Sequence, residues 1–206
     1  MKLLLATHNE HKRREFARLL PDGSDGSDGS DGQAWRLQAL PEAVELPPED
    51  GETFAENALG KARAAAAGTG RVSIADDSGI EAAALGGAPG VRSARYAGEH
   101  ASDEQNLDKL LREAPAHSAL QYVCAIAYVD PASGVERIFE GRCAGRLAEQ
   151  PRGARGFGYD PAFLPDDGPE GLTMAELSDV QKDAISHRGR AARALFEWLA
   201  AAAGGE

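Results

Sequence analysis

Two short apolar runs, KLLLA at 2–6 and RVSIA at 71–75, constrain the fold of this chain more than any other feature. Each is too short for a helix; KLLLA, apolar from Leu3 to Ala6, reads as a strand buried on both faces, and RVSIA, which climbs to Ile74 and Ala75, as another buried strand. Helical patterning lies between them. KRREFARLL puts Phe16, Leu19 and Leu20 on one face. A second helix opens at Thr53-Phe54-Ala55-Glu56, which has capping-box spacing, and runs through alanines to Ala67, where Gly68 and Gly70 stop it. AWRLQAL (34–40) alternates like a further strand. Ser102 and Gln105 form a second capping box, with Leu107, Leu110 and Leu111 as the buried face behind it. LQYVCAIAYVD and VERIFEGRCAGRL then flank Pro131-Ala132-Ser133-Gly134, a hairpin signal. RGARGFGYDPAFLP (152–165) reads as a long loop, and the chain is helical from Ser186, with Leu195, Trp198 and Leu199 as the apolar stripe. Strands alternating with helices, followed by a hairpin, describe an α/β protein with a mixed sheet.

The net charge of -11 argues against a partner that is a nucleic-acid backbone, which asks for a basic stripe. It does not exclude a small anion held by a local group of cations, and it suits recruitment of a divalent cation. Cys124 and Cys143 lie in apolar strand segments without CxxC or Cys/His zinc spacing, so they read as reduced core thiols. The apolar run at the start is shorter than a secretory leader needs, and nothing approaches the ~20 apolar residues of a membrane span, so a cytoplasmic protein without a membrane partner is expected. PDGSDGSDGSDGQ (21–33) places acids every third residue and lacks the closing Glu of a calcium loop; it reads as a flexible acidic surface insertion in an otherwise single domain spanning 1–206. There is no GxGxxG after a strand and no GxxxxGK[ST].

Four clusters carry groups suited to chemistry. Thr7-His8-Asn9-Glu10-His11-Lys12 lies between the first strand and helix, where backbone N–H groups favour anions. By itself it reads equally as a polar cap, and His8 and His11 as surface histidines rather than a metal pair. Asp76-Asp77-Ser78 follows the apolar run at 71–75, so the second strand reads as ending on two acids. Neighbouring strand residues point to opposite faces, so one Asp faces a given pocket, and a carboxylate there is a natural Mg²⁺ ligand. Two solvated turn acids are the plainer alternative. Gly156-Phe157-Gly158-Tyr159-Asp160 offers rings for stacking on a flat base and an acid for its edge, or simply a turn with anchoring aromatics. Lys182 with Ser186-His187-Arg188 gathers cations at a helix start, or forms a capped helix with solvated charges. Only five of the 22 basic residues are lysine, and Lys12, Lys61 and Lys182 all fall in such segments. A compact point charge is what a phosphate takes.

Taken together, these motifs resemble the ITPase family, the dITP/XTP pyrophosphatases. The matching stretches are T-x-N-x-x-K at 7–12, GETFAENALGKA at 51–62, IADDSGI at 74–80, LGGAPGVRSARYAG at 85–98, GFGYDPAF at 156–163, MAEL at 174–177 and KDAISHRG at 182–189. Seven in the right order, running nearly end to end, make the likeness specific.

The resemblance implies an elongated mixed sheet with flanking helices, two lobes around a central cleft, and a homodimer. It implies Mg²⁺-dependent hydrolysis of ITP, dITP and XTP to the nucleoside monophosphate and pyrophosphate, which cleanses the nucleotide pool. By position, the loop from Thr7 through His8, Asn9, Glu10 and His11 to Lys12 corresponds to the triphosphate loop, joined by Lys61. Asp77 corresponds to the proton acceptor and metal ligand, with Ser78 beside it on substrate. Phe157, Gly158, Tyr159 and Asp160 correspond to the base-side loop, and Lys182, His187 and Arg188 to residues closing over the nucleotide. Two positions depart from the family. His8 stands where Gly or Asn is common, and Pro48 stands where relatives carry a metal-binding glutamate, which leaves Glu49, Glu52 or water for that role. A Maf-like pyrophosphatase and a nucleotide-binding regulator without catalysis are the rival readings.

Overall fold

The computed structural model describes residues 1–20 and 35–203. The expected insertion at 21–33 lies outside the described residues. The element order is β1 (Lys2–Leu5), α1 (Glu10–Leu19), β2 (Arg36–Ala39), α2 (Phe54–Thr69), β3 (Ser73–Ala82), α3 (Asp103–Glu113), β4 (Ala119–Asp130), β5 (Val135–Leu147), β6 (Phe163–Pro165), α4 (Asp179–Ile185) and α5 (His187–Ala203). The strands form one six-stranded mixed sheet in the order β2-β1-β3-β4-β5-β6. β1 runs parallel to both β2 and β3, and β6 runs antiparallel to β5. The α/β architecture expected from the alternation of patterns is therefore the one found.

By its contacts the chain divides into two compact units. Among the described residues, the first comprises 1–20, 35–77, 125–140 and 191–203. Leu3, Leu4, Leu5 and Ile74 are buried in its strands, and Ala58, Ala62 and Ala65 form the buried stripe of α2. The small side chains of that stripe let a helix lie close to its neighbours. Trp35 meets Phe196 of α5, and Trp198 meets Tyr128 edge-on. Thr53 and Glu56 close a reciprocal capping box at the start of α2, and Gly70 ends the helix in the left-handed conformation.

The second unit comprises 78–124 and 141–190. Its core joins Ile80, Leu107, Leu110, Leu120, Tyr122, Leu147, Phe163, Met174 and Leu177. Ser102 and Gln105 make the expected capping box on α3. Cys143 lies in this core, and burial pushes its thiol up to about 11, as suits a packing residue.

Three expectations change. β3 does not end on the two acids; it continues for ten residues through Asp76, Asp77, Ser78 and Gly79 to Ala82. The strand carries these carboxylates in its middle because cations from distant segments neutralise them there. The segment 152–165 is not wholly loop, since it holds a 3₁₀ turn at Asp160–Ala162 and all of β6. Gly68 does not stop the second helix; α2 passes through it to Thr69, and Gly70 is the residue that ends it.

Candidate active site

In the first unit, Asp76 and Asp77 are adjacent strand residues, so their side chains reach different helices. Asp76 is fully buried, and its Oδ2 lies 3.1 Å from the Lys12 ammonium of α1. Asp77 Oδ2 accepts from the Asn57 amide of α2 at 2.9 Å. Lys61, one turn beyond Asn57 on the same face of α2, donates to the Asp76 carbonyl oxygen at 2.6 Å and to the Glu49 carboxylate. Its ammonium also stands 3.9 Å from Asp77 Oδ1. Gly51 N–H donates to Asn57 Oδ1 at 2.8 Å, which ties the segment carrying Glu49 to the same helix.

The electrostatics follow from this crowding. Burial raises the Asp77 carboxyl above its ordinary range, and nearby Glu49 adds to the rise; Lys61, Lys12 and the Asn57 bond oppose it without cancelling it. Burial also works to raise Glu49, but the charge and hydrogen bond of Lys61, helped by Lys12, leave it lowered. Burial works to lower Lys61, but Asp76, Glu49 and Asp77 together leave it raised. The cluster thus holds a firmly ionised lysine beside one readily ionised carboxylate and one that is reluctant to ionise. A reluctant carboxylate is the better proton acceptor.

The loop at 7–12 contributes mainly through its end. Asn9 caps α1, its Oδ1 accepting from the N–H groups of His11 and Lys12. Thr7 Oγ1 accepts from Asn9 N–H at 3.2 Å. His8 and His11 are exposed, as expected of surface histidines. Glu10 is also exposed and bonded to Arg13 at 2.9 Å. Lys12, at the end of the loop, joins the Asp76 carboxylate.

In the second unit, Asp160 is a hub. Its Oδ2 accepts from Lys182 Nζ at 2.7 Å and from Phe157 N–H at 3.0 Å. Its Oδ1 accepts from the Tyr122 hydroxyl at 3.1 Å. Gly156 makes room for this arrangement: its φ is +73°, and a Cβ there would collide with Asp160 Oδ2. Gly158 N–H donates to Asp103 at the start of α3, and the Tyr159 hydroxyl donates to the Ser93 carbonyl at 2.7 Å. The Phe157 ring has the Lys182 ammonium 5.1 Å and the Arg188 guanidinium 5.8 Å from its centroid. Arg188 is 1 % exposed and donates to Ser78 Oγ at 2.7 Å. His187 lies flat against Tyr122, ring centroids 4.5 Å apart. Ser186 Oγ accepts from Gly189 N–H and so starts α5; a Cβ on Gly189 would strike the Asp183 carbonyl.

The residues expected from sequence therefore sort into two groups, Lys12, Glu49, Lys61 and Asp77 in one unit and Ser78, Phe157–Asp160, Lys182, His187 and Arg188 in the other. Asn57 and Tyr122 belong to these groups and were not expected. Asn57 was legible as a polar residue on the buried stripe of an alanine helix, four positions before Lys61. Tyr122 was legible only as a phenol in an apolar strand, a group that takes a partner when buried.

The carboxylates of Asp77 and Glu49 share Lys61 as a neighbour. Among the described residues, no group of three or more His, Cys, Asp or Glu gathers to hold a metal ion. A sparse set of hard oxygens suits Mg²⁺, which takes one or two carboxylates together with phosphate oxygens and keeps its remaining waters.

Comparison with known proteins identifies relatives of this chain. The chain is 45% identical to the dITP/XTP pyrophosphatase of Corynebacterium glutamicum strain R over 97% of each chain. It is 47% identical to the dITP/XTP pyrophosphatase of Mycolicibacterium paratuberculosis, covering 98% of each. Its fold matches a HAM1 protein from Coxiella burnetii with a TM-score of 0.83 and 37% identity, covering 97% of this chain and 98% of the other. The Staphylococcus aureus Ham1 protein follows at 0.80 and 36%, covering 98% and 99%. The family model of the Ham1 family matches residues 3–198, and the chain belongs to that family.

Proposed function

We propose that this protein hydrolyses non-standard purine nucleoside triphosphates (ITP, dITP and XTP) to the nucleoside monophosphate and pyrophosphate, and so clears them from the nucleotide pool. The observation that carries this reading is Asp77: a buried carboxylate with a raised pKa, oriented by Asn57 and flanked by Lys61. The relatives named above support the substrate class. The chain acts as one pyrophosphatase domain, a homodimer of the cytoplasm; among the described residues, no helix is long and apolar enough to cross a membrane.

Asp77 and Glu49 would hold Mg²⁺, which supplies neutralisation of the charge that builds on the phosphate oxygens. Asp77 orients the attacking water at phosphorus and accepts its proton. Lys12 and Lys61 hold the phosphates, exchanging their present carboxylate and carbonyl partners for phosphate oxygens. Asn57 keeps the Asp77 carboxylate aimed. Phe157 stacks on the base, and Lys182, His187 and Arg188 present donors to a 6-oxo group. An adenine would set its 6-amino donor against those donors, an unmatched pair that costs ~1–3 kcal/mol. Ser78, fixed by Arg188, contacts the substrate beside Asp77.

The test is pyrophosphate release from ITP, XTP, GTP and ATP with Mg²⁺, in parallel with Asp77→Asn. Release from ITP and XTP well above ATP, falling at least ~10³-fold in the variant, is the expected result. Faster turnover of UTP or dTTP than of ITP would favour the Maf-like alternative. Binding of ITP without pyrophosphate release would mark a regulator.

A further inference from the structure

We infer that Tyr122 is the positioning residue that sets base selectivity, although no role in recognition would be guessed from its place inside an apolar strand. This rests on the reading above, in which His187, Lys182 and the 157–160 loop meet the base. Tyr122 is 6% exposed and sits near the start of β4, where the ladder fixes its backbone. Its ring lies 7° from parallel with the His187 imidazole at 4.5 Å, and meets Phe163 of β6 at 4.6 Å. Its hydroxyl donates to Asp160 Oδ1, leaving Asp160 Oδ2 for Lys182 Nζ and Phe157 N–H.

One side chain therefore fixes two things at once. The stack sets the plane of the His187 ring, and with it the direction in which the ring nitrogens point. The hydroxyl sets the rotation of the Asp160 carboxylate, and with it the place of the Lys182 ammonium and the start of the loop behind Phe157. Selectivity for a 6-oxo purine depends on donor directions more than on donor presence. A strand residue held between two rings is a firmer reference for those directions than a loop.

The experiment compares kcat/KM for ITP and ATP in the full-length protein with Mg²⁺, for the parent, Tyr122→Phe, Tyr122→Leu and His187→Ala. Tyr122→Phe keeps the stack and loses the hydroxyl, so KM for ITP rises about threefold with kcat held. Tyr122→Leu loses both, and the ITP-to-ATP ratio narrows about tenfold. That ratio is independent of the fraction of enzyme folded. A merely structural role lowers both substrates alike and leaves the ratio where it was. An unchanged ratio in both Tyr122 variants, with His187→Ala narrowing it, overturns the inference alone. An unchanged ratio in His187→Ala as well overturns the reading of the base site on which the inference stands.

Discussion

The two groups of site residues are built on opposite principles. Around Asp77, three carboxylates and two ammonium groups crowd together, and the balance leaves Asp77 raised, Glu49 lowered and Lys61 raised. Around Asp160, one carboxylate meets one ammonium, a phenol and a backbone N–H, and the ring of that phenol stacks on His187 and packs at a tilt against Phe163. The first arrangement is held by opposed charges and is poised for proton transfer. The second is held by directed bonds and packing, and is poised to present fixed donors. Reaction chemistry needs shifted acidity, whereas recognition needs fixed directions, and under the proposed function these two tasks fall to residues of separate compact units.

The sharpest way to break this contrast is to remove one lysine from each group. Lys61→Met leaves buried carboxylates short of a counter-charge and is expected to cost about 3–5 kcal/mol of unfolding free energy. Lys182→Met leaves Asp160 with Tyr122 and Phe157 N–H still donating, and is expected to cost about half as much. Urea denaturation of the two variants measures the difference; equal losses would mean that the groups are not differently built. A smaller effect sharpens the second half of the comparison. Gly156→Ala puts a side chain at positive φ against Asp160, which costs ~1–3 kcal/mol and raises KM for ITP with little change in kcat. A drop in kcat alone would place the 156–160 segment in the chemical step instead.

The third test reads a sign, and its size is bounded by one proton, at most ~1.4 kcal/mol per pH unit. The folded pKa of Asp77 is raised, so the folded state binds its proton more tightly than the unfolded chain does. Stability from this group is full below its unfolded pKa and is lost as pH rises through the folded value. Asp77→Asn removes that loss. Without added metal, the variant's melting temperature should gain on the parent's from acid to neutral pH. A gain in the opposite direction would mean that Lys61 and Asn57 outweigh burial.

Much of this was legible in local sequence. The capping boxes at Thr53 and Ser102 fixed the starts of α2 and α3, because both partners of such a box lie within four residues of each other. A third box, Ser178 with Gln181, starts α4 by the same signal and was not recognised; beside the proline- and glycine-rich segment before it, a helix of seven residues gives little periodicity. The length of β3 was not legible, since what permits Asp76 and Asp77 inside a strand is Lys12 and Lys61, far away in sequence. Lys12, Lys61 and Asp77 stand out by residue type and motif, and the structure places the two lysines against the Asp76–Asp77 carboxylates. Asn57 and Tyr122 were missed because their importance lies in what they touch, the Asp77 carboxylate and the His187 ring, and no local pattern announces a contact across 20 or 65 residues.

Lys61 is also an internal counter-ion. With Glu49, Asp76 and Asp77 around it, the protein carries a resident positive charge at the place where its carboxylates converge. Folding therefore does not wait for a cation from outside. On the proposed Mg²⁺ dependence, a cell short of magnesium would silence such an enzyme without unfolding it, and the stock of folded protein would return to work as soon as the ion did.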